Sequence, residues 1–504
     1  MSRLLVWASA AAERVNPVVV KEFRQAVRSR LVIAVLLLFL LINLAVLGGY
    51  LALSPQAATS ADGGRNVFAF LVSVLFITCL GFVPLYTGAR LSLERNDVNS
   101  DLLFITTITP GAMIRGKYLT AMALTLLIFS ACMPFLVFTY LLRGIDLPTI
   151  FYVLAIGFLS CSAANAVGVL AGSVPGSWFG RFLLAVGLLI VLLYSIVLIL
   201  SWISFSMMFG GFGPMVGPQF WATFGTWVLM IAMGIGLFHV FSVALISPKA
   251  ANRMLVPRLY VTVCWAVTGI VTGLWCWYQG SSNDLEPWTL TCSTVFAGLA
   301  VLALGERDTW SRRVQRTIPE NRLLRLGAFL FYTGSAGGIL WCTLLFGATL
   351  VVGLGLSEMN SSWRAGSGRD LYECCTYAAL FYGYVLCYCL TAAFLRLVVL
   401  KKAPTIYLPL TAILLGIALC LGPYLVGFFA ANLEYWRYDS TSYLMASPVI
   451  LSTLHEHPET VVGPFLCGWI ALCLVASARW FIGQWRRFVP VRAQGSGFGE
   501  TSRK

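Results

Sequence analysis

The chain has 504 residues, of which 59% are hydrophobic and only 11% charged, with a formal net charge of +14. This composition excludes an ordinary soluble domain, because such domains carry about 25% charged residues. The positive charge does not indicate a nucleic-acid partner, since most of the basic residues flank apolar segments, where they set membrane topology.

Long apolar segments without any Asp, Glu, Lys or Arg recur along the whole chain. A helix needs about 20 residues to cross ~30 Å of hydrocarbon, and these segments have roughly that length. They predict an all-α fold, a polytopic membrane helix bundle with about 12 transmembrane helices. In chain order, the predicted spans are Leu31–Leu53, Val67–Tyr86, Leu119–Leu142, Ile150–Ala171, Phe182–Ile203, Trp221–Ile246, Leu259–Trp277, Trp288–Leu304, Gly327–Leu354, Cys375–Leu395, Tyr407–Phe429 and Val461–Ala478.

The basic residues are concentrated in alternate connections between these spans. Of the 34 Lys and Arg, 28 lie on the side of the membrane that holds the amino terminus, and five lie in the connections on the other side. Cytoplasmic loops carry an excess of Lys and Arg, so both termini are predicted to be cytoplasmic.

The segment before the first span, Asn16 to Arg30 (NPVVVKEFRQAVRSR), predicts a short helix on the membrane surface. Asn16 is a favourable N-cap, and Pro17 suits the first helical position. The helical period then separates an apolar face from a basic face. The apolar face holds Val19, Phe23, Ala26 and Val27, and the basic face holds Lys21, Arg24 and Arg28. An ordinary basic flank of the first span remains the alternative.

The connection after the second span, residues 89–118, combines charged residues with an apolar patch. Glu94, Arg95 and Asp97 precede the patch, which consists of Leu102, Leu103, Phe104 and Ile105. Such a patch is too short to cross the membrane and too hydrophobic for a solvated loop, so it needs a protein groove or the membrane interface. Thr109 and Pro110 are expected to begin the next helix, which runs through Lys117 into the third span.

The sequence GAMIRGKY, Gly111 to Tyr118, has the glycine and lysine spacing of a phosphate-binding loop. Tyr118 stands where a Ser or Thr hydroxyl should hold magnesium, and the segment enters a membrane helix instead of following a buried strand. We therefore expect no ATPase site, and no other catalytic or metal site, in this chain.

In these features the chain resembles the membrane permease subunits of type-2 ABC transporters, mostly bacterial exporters. The resemblance rests on NPVVVKEFRQAVRSR, on LERNDVNSDLL and TTITPGAMIRGKY after the second span, and on six spans in the first 250 residues. It implies an elbow helix before the first span and a coupling helix after the second, seated in a groove of a cytoplasmic ATPase. Carried over by position, Glu94, Arg95 and Asp97 begin this ATPase-coupling loop, Leu102 to Ile105 fill the groove, and Pro110 and Lys117 close the segment.

The resemblance also implies the partners. A cytoplasmic ABC ATPase subunit, acting as a dimer, would bind ATP and Mg²⁺, and this chain would hold no cofactor. Membrane lipids and a second permease copy are further expected partners, and no nucleic acid is expected. The implied location is the bacterial cytoplasmic (inner) membrane.

The second half, residues 251–504, is expected to form another six-span bundle beside the permease core of residues 1–250. Glu306, Arg307 and Asp308 correspond to the charged start of the first loop, and Pro319 corresponds to Pro110. Together with Leu324 they form a candidate second coupling loop. Because six is even, the two halves would be parallel repeats. An accessory bundle, with chance similarity between two basic loops, remains the alternative.

Outside the membrane, each half has an apolar stretch interrupted by Gly or Pro before its sixth span. These stretches, Phe205 to Phe220 and Ser442 to Leu454, are candidates for re-entrant elements, since non-helical backbone at membrane depth must be buried in protein or face water.

Two other classes of function stay open: a polytopic membrane enzyme and a secondary carrier. An enzyme would need carboxylates or metal ligands near the interface, for which the last outer connection offers Glu434, Asp439, His455, His457 and Glu459. A secondary carrier would need charged side chains within the spans. The predicted spans hold one histidine, His239, and no Asp, Glu, Lys or Arg.

The predicted topology is testable by cysteine-accessibility labelling. Labels at positions Arg30, Gly305 and Arg487 should react only from the cytoplasmic side, and labels at Ala58 and Gly366 only from outside. An outward Gly305 would remove one span from the first eight and contradict the repeat.

Overall fold

The computed structural model describes the chain in segments, and within them the predicted all-α fold is confirmed. These residues form helices and turns, with no strand among them. The described residues are 17–53, 61–94, 109–142, 145–175, 178–208, 217–248, 250–281, 284–359, 368–399, 408–431, 445–448, 450–453 and 458–490.

The chain divides into two compact units, Met1–Pro248 and Lys249–Lys504, close to the boundary expected at residue 250. In the first unit, α3 is one continuous helix made of Ala61–Phe76, a π-helical segment Ile77–Phe82, and Val83–Glu94. The other described helices of the first unit are α1 (Pro17–Val27), α2 (Arg30–Leu53), α4 (Pro110–Leu141), α5 (Leu147–Ser173), α6 (Trp178–Met208) and α7 (Pro218–Ile246).

The second unit follows the same alternation of long helices and short connections. Its described helices are α8 (Leu255–Gln279), α9 (Leu285–Ala303), α10 (Arg312–Gln315), α11 (Arg322–Phe331), α12 (Ser335–Met359), α13 (Gly368–Val398), α14 (Leu408–Ala431), α15 (Ile450–Thr453) and α16 (Pro458–Arg487).

Within the described segments, eleven helices are long and apolar enough to cross a membrane, so the chain is a polytopic membrane protein. They correspond to eleven of the twelve predicted spans. The remaining one, Tyr407–Phe429, falls on α14, whose side chains are described as far as Gly422; this stretch, Leu408–Gly422, is apolar but shorter than a span.

One predicted span was wrong at its start. Residues 327–331 belong to α11, and the spanning helix α12 begins only at Ser335. No charged residue interrupts this region in the sequence, although Thr333, Gly334 and Ser335 lie at the break. The break arises because the backbone becomes extended at Tyr332 (φ −80°, ψ 158°), which ends α11.

The start of α4 follows the local sequence signals. Thr109 is its N-cap, and the Thr109 hydroxyl accepts a hydrogen bond from the Ala112 N–H at 3.3 Å. Pro110 occupies the first helical position, where its missing N–H costs nothing. The predicted helix entry is therefore confirmed, and it fixes where the connection after α3 returns to the bundle.

Helices α3 and α5 approach each other closely because glycines face each other. A Cβ added at Gly168 would lie 2.5 Å from the Pro84 carbonyl oxygen, and one at Gly88 would lie 2.7 Å from the Gly168 carbonyl oxygen. Small residues at a helix interface allow backbones to meet, which is how membrane helices gain packing without a hydrophobic driving force.

The two units share one packing scheme. In the second unit, the second span (α9) packs against the first (α8), third (α12), fourth (α13) and fifth (α14), and the fourth packs against the third, fifth and sixth (α16). Each of these pairs recurs among α2 to α7 in the first unit. Shared neighbour pairs are what a tandem parallel repeat requires. The first unit differs in also packing its third span against its first and sixth.

The contact between Gly168 and Pro84 gives a stability prediction. Gly168→Ala should destabilise the protein by about 1–3 kcal/mol, because the added methyl group overlaps backbone. Gly187→Ala is the matched control, since nothing lies within 4 Å of a Cβ at Gly187. The melting temperature in one detergent should fall for the first variant and stay level or rise for the second. Equal melting temperatures would contradict the described α3–α5 contact.

Candidate functional site

The first candidate site is a cluster of charged side chains where α3 ends and α4 begins. Lys117 of α4 lies at its centre with a side chain only 4% exposed. The Lys117 Nζ is 2.9 Å from the Glu22 carboxylate and 2.5 Å from the Glu94 carboxylate. The Arg90 Nε lies 3.8 Å from each of these carboxylates. Two cations and two carboxylates thus balance in charge, which a buried ammonium group requires.

Three elements meet in this cluster, hereafter the Lys117 cluster: Glu22 belongs to α1, Arg90 and Glu94 to α3, and Lys117 to α4. Helix α1 packs against α4 and, less extensively, against α2. Glu22, which is buried, was not singled out from the sequence. It is the one acidic residue between Asn16 and Arg30, and an isolated Glu in a basic segment is the signal that could have found it.

The predicted coupling loop itself lies mostly outside the described residues. This applies to Arg95, Asp97 and the apolar patch Leu102 to Ile105, so their roles stay predictions. The Lys117 cluster lies at the two ends of this segment. Glu94 is the last described residue before it, and α4 begins immediately after it at Pro110.

Helix α1, the predicted elbow helix, occupies the predicted position in the chain, but its buried face differs from the predicted apolar face. Pro17 begins α1, and Asn16 lies outside the described residues. Ala26 is buried and Phe23 packs against the apolar core of the first unit, whereas Val27 is 37% exposed. The basic residues Lys21, Arg24 and Arg28 are all exposed. The buried face is therefore rotated toward Glu22, which pairs with Lys117.

The second candidate site lies at the corresponding end of the second unit, around Arg258 at the start of α8. The Arg258 Nη2 donates to both carboxylate oxygens of Glu306 at 2.6 Å. Its Nη1 donates to the carbonyls of Leu330 and Tyr332 at 2.7 and 2.6 Å. Burial raises the pKa of Glu306, while the Arg258 guanidinium and the backbone N–H of Gly334 act in the opposite direction.

Asp308 is also held inside this unit. Its carboxylate accepts a hydrogen bond from the Ser335 hydroxyl, and it lies 3.5 Å from Arg396 Nη1 and 3.4 Å from the Trp480 indole nitrogen. Glu306 and Asp308, predicted to begin a second coupling loop, thus connect α8, α9, α12, α13 and α16 internally. Of the other predicted residues, Arg307 is exposed, Pro319 is half-buried, and Leu324 is 63% exposed on α11.

Part of the predicted re-entrant stretch in the second unit is buried in protein. The hydroxyl groups of Tyr384 and Tyr388 on α13 donate to the carbonyls of Met445 and Ala446, each at 2.8 Å. Ile450 of α15 is fully buried in the same cluster. The counterpart in the first unit, Phe205 to Phe220, lies largely outside the described residues.

The residues predicted for a membrane enzyme belong to parts of the chain whose side chains the structure does not describe. Glu434, Asp439, His455 and His457 lie outside the described segments, and the side chain of Glu459 is not described. Among the residues that the structure does describe, no group of three His, Cys, Asp or Glu side chains could hold a metal ion.

No family model, curated protein or solved structure matches this chain. Its sites must therefore be interpreted from their own geometry.

The Lys117 cluster gives a direct test. Lys117→Met should leave two carboxylates facing each other, one of them buried, and destabilise the protein by about 3–5 kcal/mol. The neighbouring exposed residue provides the control Lys21→Met, which should change stability little. Melting temperatures of the purified variants measure the difference. The double variant Lys117→Met with Glu22→Gln should recover part of the loss, and a neutral effect of Lys117→Met alone would contradict the cluster.

Proposed function

We propose that this chain is the membrane permease subunit of an ABC transporter, of the exporter type, in a bacterial inner membrane. It would carry no ATPase site of its own and would move its substrate with energy from a separate cytoplasmic ATPase dimer that binds ATP and Mg²⁺. The basic connections favour an orientation with both termini in the cytoplasm.

The observation that carries this proposal is the Lys117 cluster. The proposed coupling segment, residues 95–108, leaves the bundle at Glu94 and returns at Thr109, and Glu94 pairs with Lys117 two turns into α4. Both ends of the segment are therefore tied to one buried ion cluster, to which α1 contributes Glu22. A displacement of the segment by an ATPase would have to move α1, α3 and α4 together, because separating these charges is costly.

The middle of α3 is the place where such a displacement could bend the helix. The π-helical segment Ile77–Phe82 interrupts the regular hydrogen-bond ladder and packs against α6. Segments of this kind are frequent at functional sites. Toward the cytoplasmic end, α3 is fixed to α5 through Gly88 and Gly168. Movement at that end is expected to bend α3 at the π-helical segment and to alter the packing of α6.

The proposal is tested by ATPase retention. After mild detergent extraction, the chain should copurify with a stoichiometric ABC ATPase. Leu103→Asp should abolish or strongly weaken this association, because it buries an unpaired carboxylate in the groove, at a cost of several kcal/mol. Its membrane level and melting temperature should stay normal, since Leu103 lies outside the predicted spans.

Leu324→Asp is the matched control in the other loop. We expect it to retain the ATPase, because the acidic residues of the second loop pair within their own unit. Equal loss in both variants would instead support two coupling loops in one chain. The proposed function would be overturned if no ATPase copurified with the parent chain, or if Leu103→Asp retained a normal amount of it.

A further inference from the structure

Helix α11 presents apolar side chains away from the protein. Leu323 is 82% exposed, Leu324 63% and Leu326 55%. At 100° per residue, these three leucines fall on one broad face. Such a face on a short helix is unfavourable in water and suits a partly apolar environment.

The opposite face of α11 is firmly held. Phe329 is buried, and its ring centroid lies 5.5 Å from those of Trp485 and Phe488, both at the end of the chain's last described segment. The Arg325 guanidinium lies 4.9 Å from the centroid of the Trp485 ring. Because Gly337 has no Cβ, the Phe329 backbone can approach α12 closely. The leucines are thus presented on a fixed support.

The position of α11 follows from its connection to a spanning helix. It ends at Phe331, and α12 begins at Ser335, so the three residues between them reach at most about 10 Å. Helix α11 also packs against α8 and α12, the first and third spans of its unit. The elbow helix α1 contacts the first and third spans of its own unit, α2 and α4, in the same way. Both helices therefore lie at the level where spanning helices leave the membrane.

Four exposed arginines lie at the start of α11 and in the segment just before it. The set consists of Arg312, Arg313, Arg316 and Arg322. None of the four forms an ion pair with any residue that the structure describes. Their segment is attached to α11, because the Tyr332 hydroxyl donates to the Thr317 carbonyl at 3.0 Å and Ile318 packs in the same cluster as Phe329.

We propose that α11 and these arginines form a binding surface for anionic phospholipid, with the leucines among the acyl chains and the guanidinium groups on the headgroup phosphates. The combination supports this occupant, since an apolar helix face rimmed by basic residues binds anionic membrane surfaces. The proposal is independent of the transport function, because it requires no ATPase.

The test measures lipid binding to the purified full chain by native mass spectrometry. The probes are phosphatidylglycerol, phosphatidylcholine with the same acyl chains, and glycerol phosphate. The parent should hold phosphatidylglycerol most tightly and should not retain glycerol phosphate. The variant with all four arginines changed to Gln should bind phosphatidylglycerol roughly tenfold more weakly or worse, as expected for the loss of several phosphate contacts.

A variant in the first unit provides the matched control. Lys21, Arg24, Arg28 and Arg30 are also exposed, and changing all four to Gln removes the same charge. This control should weaken phosphatidylglycerol binding less than the arginine variant does, because no apolar side chain of α1 is as exposed as the three leucines of α11. Changing Leu323, Leu324 and Leu326 to Asn should weaken it without altering the four arginines, which gives a second measurement if the arginine variant fails to fold. Equal weakening in the arginine variant and the first-unit control, or unchanged binding in the arginine and leucine variants, would overturn the proposal.

Discussion

A charged side chain buried near a membrane must find an opposite charge, and this constraint determines how the helices of each unit are joined. Lys117 lies between Glu22 and Glu94, and Arg258 lies against Glu306. In the first case the partners come from three helices, and in the second Arg258 lies in α8 and Glu306 in the connection after α9. Leaving one partner unpaired costs several kcal/mol, so each cluster holds its helices in one arrangement. Burial of the apolar spans stabilises the bundle but does not select one arrangement of the helices, because the hydrophobic effect is non-directional. The ion pairs join specific side chains and so favour one arrangement.

The helices of the two units pack in a similar way, but the loops after the second span make different contacts in each unit. In the first unit, the acidic residue at the end of the second span pairs with a Lys on the third. In the second, Glu306 pairs back to Arg258 on the first span, and the loop folds over itself through α10, α11 and the aromatic cluster at Phe488. Helix α11 contacts the first and third spans of the second unit, as α1 does in the first unit. Unlike α1, it follows the second span of its unit in the sequence. The acidic residues of the second loop are therefore held within their own unit. The role of this loop, as a second ATPase contact or as part of an accessory bundle, stays a prediction.

The sequence was sufficient for the parts of the fold that depend on local or periodic signals. The absence of charge over about 20 residues predicts the spans, and Thr109 with Pro110 predicts the start of α4. The break before Ser335 was missed because residues on both sides of it are apolar. Lys117 was placed on the helix that begins at Pro110, but Glu22 was not singled out, and their pairing was not foreseen because it depends on how α1 and α4 pack. The roles of Arg95, Asp97 and Leu102 to Ile105 stay predictions.

The central claim is that the segment after α3 contacts a cytoplasmic ATPase. Site-specific photo-cross-linking tests this most directly, with a photoreactive amino acid in place of Leu103 in intact cells and identification of the adduct by mass spectrometry. The account predicts a cross-link to a protein with ABC ATPase sequence motifs, at a much higher yield than from position Leu324. Cross-links from position 103 only to lipid, or only to this chain itself, would contradict it.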